Sequence, residues 1–273
     1  MTDAAKRIAD QALEYVFNPP VASDRVIDYA TPDELIVEFA TTVGLGIDAD
    51  QQPVSPDQLV DAVQTIVDRS MHTTHPRFFN QNFAGPEPIA VVGDWLAAAL
   101  NTTNATFEVA PVFTMMERSV INKMAGLAGY PVDPAPGALP PGILCPGGSS
   151  ATLHALQLAR HRACPDILQT GATGERLVVF VSQAAHYATL KSAAIMGLGL
   201  QSVIEVDTDA TGAIIPAGLA KAVDDARADG ARPFAVVATA GTTVTSAFDP
   251  LDPIADICEA EELWLHVDGC WGG

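Results

Sequence analysis

Three stretches of this sequence combine residue types at spacings that can do chemistry. Residues 145–153 (CPGGSSATL) set two glycines and two serines before an apolar helical stretch that ends near Arg160. Glycine lets the backbone turn tightly and approach an anion, and Ser149 with the first free N–H groups of the helix can donate to it. The same residues also read as a plain helix cap, and they match neither a Walker A loop nor a GxSxG elbow. Residues 263–268 (LWLHVD) are an apolar run that ends in Asp268, just before Gly269, Trp271, Gly272 and Gly273. An acid at the carboxyl end of a parallel strand faces the crevice where such sheets bind ligands. The alternative is that Asp268 caps or turns the chain. Residues 182–187 (SQAAHY) place His186 after another β-rich run, where it is either a catalytic imidazole or a satisfied surface or core residue.

These positions need a scaffold, and the surrounding pattern supplies one. From about residue 177, short β-rich runs alternate with helical stretches, the signature of a parallel sheet with crossover helices. The spacing predicts strands at 177–182, 202–206, 234–239 and 263–268, with helices at 187–197, 217–229 and 250–261. The first third reads as helices separated by Pro-rich turns. Thr31-Pro32-Asp33-Glu34 and Ser55-Pro56-Asp57-Gln58 each set a cap, a first-turn proline and a reciprocal acid or amide before an apolar run. Residues 1–74 therefore form a helical N-terminal segment with little core of its own, expected to lie on the main domain or across a dimer partner. Residues 75–273 form the α/β domain, and 131–141 (PVDPAPGALPP) is a loop within it.

Composition narrows the partners. With 273 residues and 48% apolar content the chain can bury a sizeable core. Asp and Glu outnumber Lys and Arg by 33 to 14, a formal charge of -19, so nucleic acid and anionic membrane surfaces would repel it. A small molecule or a second copy of the chain is the expected partner. Cys145, Cys164, Cys258 and Cys270 lie at wide spacings without a C-x-x-C, which indicates neither a metal site nor a disulfide framework. No run approaches the roughly 20 apolar residues of a membrane span, and the first residues lack a signal-peptide pattern. A soluble, cytoplasmic protein is expected.

Read in order, 75–81 (HPRFFNQ), 108–113 (EVAPVF), 147–153 (GGSSATL), 186–187 (HY), 238–244 (ATAGTTV), 247–251 (AFDPL) and 266–268 (HVD) resemble the group II pyridoxal-phosphate (PLP) dependent amino-acid decarboxylases over about two hundred residues. The resemblance implies a fold-type I PLP-dependent transferase-like α/β domain, a PLP cofactor and a homodimer. It implies that Asp268 pairs with the pyridinium nitrogen and that His186 stacks on the ring and assists proton transfer. Gly148, Ser149 and Ser150 would hold the phosphate, with the helix dipole adding about 0.3 to 2 kcal/mol. Thr239 would line the same crevice near the cofactor and substrate. The motifs look more like the glutamate and cysteine-sulfinate branch than the aromatic one. They imply an acidic L-amino acid (glutamate, aspartate or cysteine sulfinate) as substrate, with Arg77, Asn80 and Gln81 supplying part of a cationic or multi-donor pocket. Arg77 alternatively orders a helix entry.

The chain departs from the family pattern at several points. Gly269-Cys270 replace the usual small alanines, which puts Cys270 beside the cofactor ring or leaves it as inert packing, and Ser246 stands at a usual glycine. The lysine that holds PLP covalently lies, in this family, a few tens of residues beyond the HVD strand. None of Lys6, Lys123, Lys191 and Lys221 matches its motif. The expectation is an incomplete large domain, a fragment or truncated frame lacking the carboxy-terminal small domain, with apolar faces and a strand edge exposed and no turnover alone. Two other readings compete: a non-catalytic protein that retains the PLP cup, and another fold-type I enzyme such as an aminotransferase.

Overall fold

The computed structural model describes residues 2–19, 25–42, 54–80, 82–135, 137–171 and 174–273, and these group into two compact units, 1–115 and 116–273. The first unit holds α1 (Thr2–Phe17), α2 (Pro32–Thr42), α3 (Pro56–Arg69), α4 (Pro88–Leu100) and the start of α5 (Pro111–Leu127). Both expected capping boxes form. Ser55 accepts from the Gln58 N–H while Gln58 accepts from the Ser55 N–H, and Thr31 and Glu34 do the same. Helix α1 packs on α3, where Ala4, Val60 and Ala62 are buried and Arg7 pairs with Asp57 at 2.5 Å. No helix among the described residues is long and apolar enough to cross a membrane.

The second unit continues with α6 (Gly148–Ala163), α7 (Ile167–Thr170), β1 (Leu177–Ser182), α8 (Ala188–Ile195), β2 (Val203–Val206), α9 (Pro216–Ala228), β3 (Arg232–Thr239), α10 (Leu251–Ala260) and β4 (Trp264–Asp268). The four strands pair in parallel in the order β2-β1-β3-β4. Their residues divide by the two-residue period of a strand. Val178, Phe180, Val236 and Ala238 pack under α9 and α10 with Leu219, Val223 and Ile254. Val179, Val181, Ala235 and Val237 pack on the other face with Leu156 and Ala159 of α6 and with Met196. A sheet buried on both faces explains why β1 reads LVVFVS without polar alternation.

The element boundaries differ from the sequence expectation by one or two residues. Ser202 belongs to a short 3-10 turn, Leu200–Ser202, and not to β2. β3 starts two residues early despite Pro233, because the Arg232 N–H donates to the Arg176 carbonyl at 2.8 Å and proline is tolerated at a strand's start.

The strand order creates the site. The chain leaves β1 towards β2 on one side and β3 towards β4 on the other, so the connections diverge between β1 and β3. Such a switch point opens a crevice at the carboxyl ends of the strands.

Candidate active site

Ser182, Thr239 and Asp268 end β1, β3 and β4. Thr239 and Asp268 are direct partners in the parallel register, and the Ala240 N–H donates to the Asp268 carbonyl at 2.8 Å. Asp268 is half-buried, with Oδ1 accepting from the Cys270 N–H at 3.1 Å. Interaction with the Asp268 carboxylate, together with burial, pushes the pKa of the Cys270 thiol up to about 11. Thr239 is 4% exposed, and its Oγ1 is buried with no hydrogen-bond partner among the described residues. A buried orphan hydroxyl costs about 1–3 kcal/mol unless a ligand or water satisfies it.

Gly147 and Gly148 enter α6, whose first turn has no side-chain cap, so its leading N–H groups remain donors for an anion. Gly147 has φ 137°, a conformation open to glycine. At Gly148 a Cβ would stand 2.5 Å from Cys270 Sγ, so the thiol fills the space beside the helix start. Cys270 thus links the uncapped helix to Asp268. Ser149 is exposed and Ser150 half-buried at the same turn.

His186 is exposed in the loop after β1. Its Nδ1 accepts from the Ala188 N–H at 3.2 Å, and its ring centroid lies 4.1 Å from that of Tyr187. That local bond fixes the ring and leaves Nε2 as its second site. The structure brings Gly148, Cys270, Asp268 and Thr239 together directly, while His186 joins them only through its place at the same end of the sheet. Arg77 and Asn80 lie in the first unit, both exposed. The Arg77 N–H donates to His75 Nδ1 at 3.1 Å, and Asn80 Oδ1 accepts from the Asn82 N–H at 2.7 Å. Gln81 is outside the described residues.

Asp249 has a structural part that sequence reasoning did not assign. It is 4% exposed, with Oδ1 accepting from the Ile214 N–H and Oδ2 from the Thr239 N–H, each at 2.7 Å. Burial pushes its carboxyl pKa up, while the two donors pull it back. One carboxylate therefore holds the end of β3 against the loop entering α9. The 247–251 motif was the available signal, but the identity of its two donors depends on which backbone segments meet, which no spacing reveals.

The residues present fit PLP. An uncapped, glycine-entered helix suits a phosphate, Asp268 suits a protonated ring nitrogen, and the buried Thr239 hydroxyl beside it still lacks a hydrogen-bond partner.

Comparison with known proteins agrees with this geometry. The sequence model of the pyridoxal-dependent decarboxylase conserved domain matches residues 42–273. The chain is 40% identical to the human acidic amino acid decarboxylase GADL1 over 95% of its length and 48% of that protein. It is 39% identical to rat cysteine sulfinic acid decarboxylase over 97% of its length and 51% of that protein. The crystal structure of mouse CSAD superposes with a TM-score of 0.90 at 37% identity, covering 99% of this chain and 55% of that one. The chain spans about half the length of the curated relatives it matches. On the domain match and these relatives, the chain belongs to the pyridoxal-dependent decarboxylase family.

Proposed function

We propose that this chain contributes the cofactor-cradling portion of a PLP-dependent carboxy-lyase that removes the α-carboxylate of an acidic L-amino acid. The observation that carries the reading is the junction of Asp268, Cys270, the uncapped start of α6 and the orphaned Thr239 hydroxyl at the carboxyl end of a parallel sheet. Relatives named as cysteine sulfinic acid and acidic amino acid decarboxylases favour an acidic substrate.

Bound PLP supplies an electron sink for the pair left behind when carbon dioxide departs. Asp268 keeps the ring nitrogen protonated, because its carboxylate stabilises the positive charge. The Gly148 and Ser149 N–H groups, with the Ser149 and Ser150 hydroxyls, would hold the phosphate, and Thr239 would line the same crevice. His186, held through Nδ1, presents its other nitrogen to exchange a proton at the reacting carbon. Cys270, between Gly148 and Asp268, would stand beside the cofactor ring. On the family resemblance, Arg77, Asn80 and Gln81 would serve the substrate's side-chain acid. Asp249 touches neither partner and acts by positioning Thr239.

The same reading includes a homodimer in the cytoplasm. Apolar side chains left exposed on α4, such as Ile89 at 80% and Leu96 at 56%, and on α5, such as Val112 at 68%, favour burial by a second copy. All four cysteines are free thiols, which suits a reducing compartment.

The test is carbon dioxide release by the full-length enzyme to which this chain contributes, supplied with PLP, from L-cysteine sulfinate, L-aspartate and L-glutamate, with L-tyrosine as control. Release from an acidic substrate that falls by about two orders of magnitude or more in Asp268→Asn supports the assignment. Transamination without carbon dioxide, or PLP retained without any turnover, would overturn it.

A further inference from the structure

At the opposite end of the sheet, where β3 and β4 begin, Phe234 and Trp264 floor a cavity of about 440 Å³ ringed by charged side chains. Two of its arginines are already engaged. Arg227 pairs with Glu261 and also donates to the Glu261 carbonyl at 3.1 Å. Arg232 pairs with Glu175 at 2.7 Å and donates to the Ala163 carbonyl at 2.5 Å. Arg162 and Glu262 remain. Neither forms an ion pair or side-chain hydrogen bond among the described residues, and the Arg162 guanidinium sits 6.0 Å above the Trp264 ring. The cavity therefore offers one uncommitted cation and one uncommitted anion over an aromatic floor.

Glu262 provides an independent sign of use. It occupies the left-handed position that ends α10, with φ 54°. The Leu263 N–H donates to the Cys258 carbonyl at 2.8 Å and the Glu262 N–H to the Glu259 carbonyl at 3.4 Å, the two bonds of a Schellman helix end. Glycine is the unstrained residue there. Glu262 thus holds a strained backbone position while its carboxylate makes no ion pair or side-chain hydrogen bond among the described residues.

We propose that this cavity binds a small zwitterion, its acid group on Arg162 and its ammonium on Glu262. An acidic amino acid that loses its α-carboxylate as carbon dioxide keeps its amine and its side-chain acid, two or three carbons apart, and so becomes a ligand of this class. On the reading given under Proposed function, the cavity is a product-sensing site at the far end of the sheet from Asp268 and Thr239.

Isothermal titration of the protein with β-alanine, propionate and propylamine tests this. β-Alanine binds while each single-charge probe binds at least about tenfold more weakly, since one charge-assisted contact is lost. Arg162→Gln weakens β-alanine about tenfold or more at unchanged melting temperature. Glu262→Gly weakens it similarly while raising the melting temperature, because glycine relieves the helix end. Glu262→Gln, which keeps the side chain's bulk, loses β-alanine binding as well. Wild-type affinity in both Arg162→Gln and Glu262→Gly, or no β-alanine binding by the wild type up to about 10 mM, overturns the proposal. The readout is binding and not turnover, so a failed decarboxylase assay leaves it intact and the two readings fail separately.

Discussion

Replacing Asp249 by alanine strips the acceptor from two buried backbone donors at once. Its Oδ1 and Oδ2 each accept one N–H at 2.7 Å, from Ile214 and Thr239, in a position 4% exposed. An unsatisfied buried donor costs about 1–3 kcal/mol, so two place the loss at about 2–6 kcal/mol. Removing the buried carboxylate returns part of this, since burial already disfavours its charge. A net destabilisation of about 2–4 kcal/mol is expected for Asp249→Ala. In Asp249→Asn one oxygen still accepts while the amide faces the other N–H, so the loss should be about half as large. Urea unfolding should show a lowered midpoint at unchanged slope. Native-state hydrogen exchange should accelerate at the amides of Ile214 and Thr239 beyond the global change. A midpoint equal to wild type for Asp249→Ala, or protection at both amides that merely follows global stability, would refute the clamp.

Other consequences follow from the same site. Gly148→Ala should lose about 1–3 kcal/mol, because the new methyl meets Cys270 Sγ at 2.5 Å. Adding Cys270→Ala should recover most of that, as the remaining Cβ is 4.0 Å away, and a double-mutant cycle with no coupling would contradict the packing. Cys270, though exposed, has its pKa pushed from 9.0 up to about 11, leaving it about a hundredfold less thiolate below pH 9. Mass-spectrometric mapping of iodoacetamide adducts at pH 8 should find it modified slowly, and Asp268→Asn should quicken it. Burial lowers the His266 pKa below its ordinary 6.5, with Asp268 opposing the shift. The folded state thus favours the neutral ring: this contribution is full above about pH 6.5 and is lost as pH falls from there through the lower folded value. His266→Gln should flatten the decline in melting temperature over that acid range, and an unchanged slope would assign the decline to other groups.

Local chemistry makes much of this protein legible in its sequence. The capping boxes at Thr31 and Ser55, the four β-rich runs and the glycine-entered start of α6 depend on neighbours within a few residues, so sequence determined their presence and nearly their limits. The ordered motifs likewise determined the family. Tertiary structure alone decided the strand order β2-β1-β3-β4, and with it that the crevice opens between β1 and β3. It also decided that the Cys270 thiol fills the space beside Gly148, and that Asp249 clamps Ile214 and Thr239 across 35 and 10 residues of chain. The reason is range. A cap or a period reports on the next turn of backbone, whereas a buried hydrogen bond or a packed thiol is fixed by which distant segments the closed core brings into contact.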